Sequence, residues 1–212
     1  SSVKLYFMLG LPTETDEDVL GIADLAQKVY HVWRENTPNR SRGVRITVST
    51  SCFVPKSHTP FQWEAQNTQE EYLRKVTLLR EHMRNKSITY NWHDPETSYL
   101  EAVLSRGDRR IADVIEEAWR HGAKFDSWSE YFNLQTWLTA METCGVSPAF
   151  YANRVREKDE ILPWHVISDG VKESYLWRER ETAYAGKITP DCKVKCSGCG
   201  ANKLCKGGIC HG

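Results

Sequence analysis

Five of the chain's seven cysteines crowd into its last stretch: Cys192, Cys196, Cys199, Cys205 and Cys210, with His211 beside the last. Thiolates this close in a glycine- and lysine-rich segment converge on one ion or cluster more readily than they pair as disulfides. Zinc takes four tetrahedral thiolate or imidazole ligands, and the Cys196-x2-Cys199 knuckle supplies two of them. A 4Fe-4S cluster also takes four thiolates. The tail offers more ligands than either needs. The expected set is Cys192, Cys196 and Cys199 with Cys205 or Cys210, holding zinc or an iron–sulfur cluster. Lys193, Lys195, Lys203 and Lys206 would offset the thiolate charge. The alternative is a tail that carries no metal.

The segments that must position any site read as an α/β chain. Val3 to Leu9 is a continuous apolar strand, closed by the turn Gly10-Leu11-Pro12-Thr13. Thr15 caps the following helix, with Asp18 as its capping-box partner, and Asp16, Glu17 and Asp18 suit the positive end of the helix dipole. Val19, Ile22, Ala26, Val29 and Trp33 recur at helical spacing, and Glu35 to Gly43 is a polar loop. Val44 to Cys52 alternates, with Val44, Ile46 and Val48 on one face and Thr47, Ser49 and Ser51 on the other. A proline-punctuated loop, Phe53 to Phe61, leads to a helix capped by Thr68 with Glu71, and Ser87 to Trp92 is a further short strand. Strand–helix–strand–helix–strand is the signature of parallel βαβ units. From Thr97 onward the pattern is helical: 97–105, 109–121, about 129–144, a short helix near Pro148, and about 171–185.

The bulk properties exclude several classes. Lys and Arg (28) balance Asp and Glu (28), so no global field draws the chain to nucleic acid or anionic lipid. No apolar run approaches the roughly 20 residues of a membrane helix, and no secretion signal opens the chain. Clustered cysteines fit a reducing compartment, which makes the cytoplasm the expected location.

Two segments resemble the radical S-adenosylmethionine (radical SAM) superfamily. Phe7-Met8-Leu9-Gly10-Leu11-Pro12-Thr13-Glu14-Thr15-Asp16-Glu17-Asp18 is similar to the stretch after the family's fifth barrel strand, where an apolar strand runs into Gly-x-Pro-x-Glu-Thr. Phe53-Val54-Pro55-Lys56-Ser57-His58-Thr59-Pro60-Phe61 resembles the loop after its sixth strand. Leu100-Glu101-Ala102, Arg106-Gly107-Asp108-Arg109-Arg110, Leu162-Pro163-Trp164 and Thr189-Pro190-Asp191-Cys192 resemble the C-terminal extension of a subgroup fused to a cobalamin-binding-type domain, the "Fe-S oxidoreductase" type.

The resemblance implies the last strands and helices of a partial (β/α)6 barrel over 1–95, a mostly helical extension over 96–186, and a Cys-rich metal-binding tail over 187–212. It implies the C-terminal half of a larger enzyme whose partner is its own missing N-terminal half. That enzyme would split S-adenosylmethionine with a reduced 4Fe-4S cluster and abstract hydrogen from a substrate that the motifs do not identify. It further implies that Gly10, Pro12 and Glu14 lie against S-adenosylmethionine, with Ser49, Thr47 and Ser51 facing the barrel interior. Cys192, Cys196 and Cys199 share the x3, x2 spacing of the family's cluster loop, but that loop precedes the barrel strands, so the tail belongs to the extension. The isolated chain is expected to be inactive.

Rival readings stand beside these. Gly10 to Glu14 is also a plain capped turn, Ser49 part of a small-residue packing face, and His58 an exposed loop residue. Arg106 to Arg110 either clamps an anion or forms a helix junction, with Asp108 capping and the arginines solvated or ion-paired. Trp119, Trp128, Trp137, Trp164 and Trp177 either line a cavity or anchor helix packing. The alternative for the whole is a non-catalytic zinc-binding module for protein or RNA interaction.

Overall fold

A computed structural model describes residues 1–39, 41 and 43–201. The described residues divide into two compact units: Ser1–Val54 with Gln66–Glu101, and Pro55–Ala65 with those from Ala102 onward.

The first unit is built from β1 (Ser2–Leu9), α1 (Asp16–Asn36), β2 (Arg45–Cys52), α2 (Gln69–His82) and β3 (Ile88–Trp92). The strands pair in parallel in the order β1-β2-β3, with Tyr6 opposite Ser49 and Ser49 opposite Asn91. Thr15 caps α1 with a complete capping box: its hydroxyl accepts from the Asp18 N–H at 3.2 Å while Asp18 accepts the Thr15 N–H at 2.9 Å. Thr68 caps α2 by accepting from the Glu71 N–H. One core gathers Leu9, Ile46, Val48 and Ile88 from the sheet, Val19, Ile22 and Ala26 from α1, and Tyr72, Val76 and Leu79 from α2. Helix α1 runs further than the polar composition of 35–43 predicts, to Asn36, whose side-chain amide donates to the Val32 carbonyl at 2.8 Å.

This arrangement corrects the expected partial (β/α)6 barrel. The described residues form an open three-stranded sheet in which β1 and β3 are both edges. Closure needs strands enough to curl back on themselves, with matching tilt and stagger. After β3 the chain turns to helices: α3 (Pro95–Arg106), α4 (Ile111–Arg120), α5 (Leu134–Thr143), α6 (Pro148–Ala152) and α7 (Glu173–Tyr184). Both helices of the first unit cover one sheet face, and the other presents Lys4, Tyr6, Met8, Ser51 and Asn91 to solvent.

The second unit packs α4 against α5 through Val114, Ala118, Trp137, Ala140 and Met141, all buried. Gly107 permits the α3–α4 junction: a Cβ there would lie 2.2 Å from Cγ1 of Ile111 and 2.9 Å from the Val103 carbonyl oxygen. A separate cluster joins Trp63, Leu162, Trp164 and Leu176, with Trp177 edge-on to Trp63 at 5.0 Å. Of the tryptophans expected to anchor packing, Trp137 and Trp164 are buried and Trp177 packs on that cluster. Trp119 and Trp128 are 68% and 62% exposed. Residue type does not separate these cases, because an aromatic on the outer face of α4 (Trp119) or in a surface turn (Trp128) reads like one in a core.

Candidate functional site

The turn between β1 and α1 is held by buried charge. Gly10, at φ +91, donates its N–H to both carboxylate oxygens of Glu14, at 2.9 and 3.1 Å. Glu14 Oε1 in turn meets Lys75 Nζ at 2.7 Å, and Lys75 also donates to Asn67 Oδ1 at 3.1 Å. The side chains of Lys75 and Glu14 are 6% and 8% exposed. Only glycine suits position 10, since a Cβ would lie 2.8 Å from Asn67 Oδ1 and the backbone is left-handed. Thr13 is left-handed as well, at φ 66, an outlier for a β-branched residue. Strain of this kind persists where surrounding structure over-determines it and clusters at ligand clamps; here Glu14, Lys75 and Asn67 supply that surround.

Glu14, expected against a cofactor, therefore has its carboxylate engaged inside the turn, and Gly10 has its amide engaged too. Pro12 has no N–H to offer. Ser49 stands at the middle of the uncovered sheet face, in register with Tyr6 and Asn91. These three border a shallow cavity of about 310 Å³ whose rim includes Ser51 and His93. Thr47 is half-buried on the same face, while Thr50 points the other way and shares a hydrogen bond of 2.8 Å with the Tyr90 hydroxyl. Beneath it, burial pushes the Cys52 thiol up to about 11, which keeps it protonated and a poor metal ligand.

Lys75 and Asn67 were missed in the sequence. The available signal was a lysine inside the apolar stripe of α2, three residues after Tyr72 and four before Leu79. His58 sits in the second unit at φ 56, with Nδ1 3.7 Å from Asp169 Oδ2 and its own N–H donated to Gln62.

In the tail, Cys192 is exposed and Cys196 and Cys199 are half-buried. The backbone here is anchored to α7: the Lys172 N–H donates to the Cys199 carbonyl at 2.8 Å, and Arg178 donates to the Ser197 carbonyl at 2.5 Å. Cys196 borders a cavity with Arg178 and Lys195. Cys205, Cys210 and His211 lie outside the described residues. Among the described residues, no three or more His, Cys, Asp and Glu side chains gather into a group able to hold a metal.

The Arg106 to Arg110 motif divides. Asp108 accepts from the Arg110 backbone N–H and pairs with its guanidinium at 2.7 Å, and it accepts from the Tyr151 hydroxyl at 3.0 Å. Those bonds, the Arg110 guanidinium foremost, hold the Asp108 carboxyl well below the usual carboxylate range. Arg106 is neither solvated nor ion-paired: it is wholly buried and donates to backbone carbonyls.

The chain matches no protein-family profile and no solved structure. It is similar to an uncharacterized protein of Methanocaldococcus jannaschii, 27% identical over 114 residues, a stretch covering 54% of this chain and 23% of that protein. The chain thus spans about a quarter of the relative it matches. Among the described residues, no helix is long and apolar enough to cross a membrane.

Proposed function

We propose that this chain is the S-adenosylmethionine-facing part of a cytoplasmic radical S-adenosylmethionine enzyme of the "Fe-S oxidoreductase" type, and acts within a longer protein. The observation that carries the reading is the left-handed Gly10–Thr13 turn, locked from beneath by Glu14 and Lys75, at the carboxyl end of β1. In open parallel sheets, ligands bind outside the carboxyl ends of the strands. The small polar side chains of Ser49, Ser51 and Asn91 on the uncovered face leave room for an adenosine-sized group and can hydrogen-bond it. Parallel sheets are ordinarily covered on both faces, so a bound group or further polypeptide over this face accords with general practice.

The described residues fit S-adenosylmethionine better than they fit a cluster. The protonated Cys52 thiol is the sheet unit's sole cysteine, so no cluster chemistry is assigned to that unit. On one-electron reduction by an iron–sulfur cluster, S-adenosylmethionine supplies a hydrogen-abstracting radical; this chain's part is to position the cofactor. Ser49 and Asn91 orient polar groups, and the Glu14–Lys75 pair, with Gly10 packed against Asn67, keeps the turn rigid.

The test is an amide chemical-shift titration of the isotopically labelled chain with S-adenosylmethionine. Shifts should concentrate at Gly10, Leu11, Ser49, Ser51 and Asn91. A spectrum unchanged at millimolar cofactor would overturn the reading.

The tail's cysteine spacing favours a second element, a zinc ion or an additional iron–sulfur cluster held by Cys192, Cys196 and Cys199 with Cys205 or Cys210. Protein purified anaerobically should contain stoichiometric zinc and be colourless, or contain iron with broad absorption at about 400 nm. Metal-free protein with free thiols would refute the site. A colourless zinc protein that ignores S-adenosylmethionine would favour a non-catalytic interaction module.

A further inference from the structure

The cavity over the open sheet face has one imidazole on its rim, and that ring is braced from within the protein. His93 follows β3 directly and stays in the ladder: its N–H donates to the Thr50 carbonyl at 2.8 Å, and its own carbonyl accepts from the Tyr72 hydroxyl at 3.2 Å. The turn into α3 is equally fixed. Ahead of Pro95, the first residue of α3, the Asp94 side chain accepts the Glu96 N–H at 2.9 Å, and the Asp94 carbonyl accepts the Ser98 N–H at 3.1 Å. Ser98 is thereby buried in the first turn of the helix. Its carbonyl accepts from the Gln66 amide at 3.0 Å, and its hydroxyl shares a hydrogen bond of 3.0 Å with Nδ1 of His93.

An imidazole engaged at Nδ1 has its orientation set, and its other nitrogen is left for a different partner. Nε2 of His93 has none among the described residues. The side chain is exposed and lines the cavity, so that nitrogen is open to whatever enters.

The rest of the lining matches in kind. Ser49, Ser51 and Asn91 both donate and accept, and no Lys, Arg, Asp or Glu among the described residues lines the cavity. Tyr6 stands 71% exposed on the same face. It is in register with Ser49 and Asn91 across the three strands. With strands about 4.8 Å apart, the aromatic side of the cavity lies about 10 Å from the β3 side. An uncharged lining of hydroxyls, one amide and one imidazole suits hydroxyl groups, which donate and accept at once and so satisfy Nε2 in either tautomer. An exposed aromatic ring on the far side suits a flat heterocycle.

We propose that His93 is the specificity-determining residue of this cavity, with Nε2 hydrogen-bonded to the ribose hydroxyls of a nucleoside whose base lies over Tyr6, and that Ser98 is the positioning residue that holds the ring for it. A ribose is thereby chosen over its deoxy counterpart, because the deoxy ligand shields Nε2 from water without answering it. The inference rests on the reading of this face as the adenosine pocket, and requires neither the methionine portion of the cofactor nor a cluster.

The experiment is a chemical-shift titration of the full chain, followed at backbone amides and at the histidine ring nitrogens, with adenosine, 2′,3′-dideoxyadenosine and S-adenosylmethionine. Adenosine should bind about tenfold tighter than dideoxyadenosine. It should move the Nε2 resonance of His93 more than the Nδ1 resonance, which Ser98 holds. His93→Phe keeps a flat ring and removes both nitrogens, and should abolish the preference while leaving dideoxyadenosine affinity in place. His93→Gln, whose amide can reach the same hydroxyls, should retain part of it, and Ser98→Ala should weaken it. Equal affinity for the two nucleosides, a preference that survives in His93→Phe, or a parallel loss of both ligands in that variant would each overturn the assignment, as would an absence of shifts with adenosine. Adenosine bound with the ribose preference while S-adenosylmethionine is ignored would uphold His93 and remove the cofactor reading. S-adenosylmethionine bound with no effect of His93→Phe would do the reverse.

Discussion

Replacing Lys75 by methionine will strip about 3–5 kcal/mol from the sheet unit. The ammonium is 6% exposed and its partner carboxylate 8%, so the substitution leaves Glu14 charged, buried and, among the described residues, supported by the Gly10 amide alone. The methionine stem keeps most of the packing in the α2 stripe, which isolates the loss of charge from the loss of volume. Against a typical domain stability of about 5–15 kcal/mol this is a large fraction. Urea unfolding followed by circular dichroism, with amide exchange at Gly10 and Val19, reads it. The Glu14→Gln, Lys75→Met double variant should recover much of the loss, because a neutral amide still accepts the Gly10 N–H and no unpaired charge remains. A loss below about 1 kcal/mol in the single variant would mean that the turn does not depend on the pair. The same variant bears on function: with the turn loosened, shifts induced by S-adenosylmethionine at Gly10 should vanish before those at Ser49.

The second large effect is expected from Arg106→Met. The substitution strands the carbonyls of Tyr151, Pro55 and Gln62, which Arg106 holds from a fully buried position. Unsatisfied buried acceptors cost about 1–3 kcal/mol each. The contacts to Pro55 and Gln62 are long, so the total should lie near the lower end, about 3 kcal/mol. Relief of burying a guanidinium works in the opposite direction, as does relief of repulsion with Arg156. The loss of three buried carbonyl partners outweighs that relief in the expected result. Tryptophan fluorescence is the natural readout, since Gln62 adjoins Trp63 and accepts the Trp164 indole N–H at 2.7 Å. A variant more stable than the parent would show that the arginine is kept for something other than holding this loop.

Much of the local structure was legible in the residues. The capping box of α1, the Thr68 cap of α2, the alternation of β2, the helical stripes of α1 and α2 and the parallel βαβ order all follow from relationships within a few residues, where backbone geometry alone fixes which groups meet. The turn at Gly10 was legible as a place of special backbone, but its lock was not: Glu14 and Lys75 are 61 residues apart. Arg106 read as part of a solvated junction because its neighbours Asp108 and Arg110 do pair at the surface, one turn away from a residue that faces inward.

The sequence by itself determined the strands, helices, caps and thiol spacing, all short-range consequences of side-chain type and chain geometry. Tertiary structure alone decided that the sheet stays open at three strands, that Pro55–Ala65 joins the later unit, and which charges lie buried and with whom. A charge's partner is set by what folding brings within a few ångströms after water is removed, and neighbours in sequence carry no record of that distance.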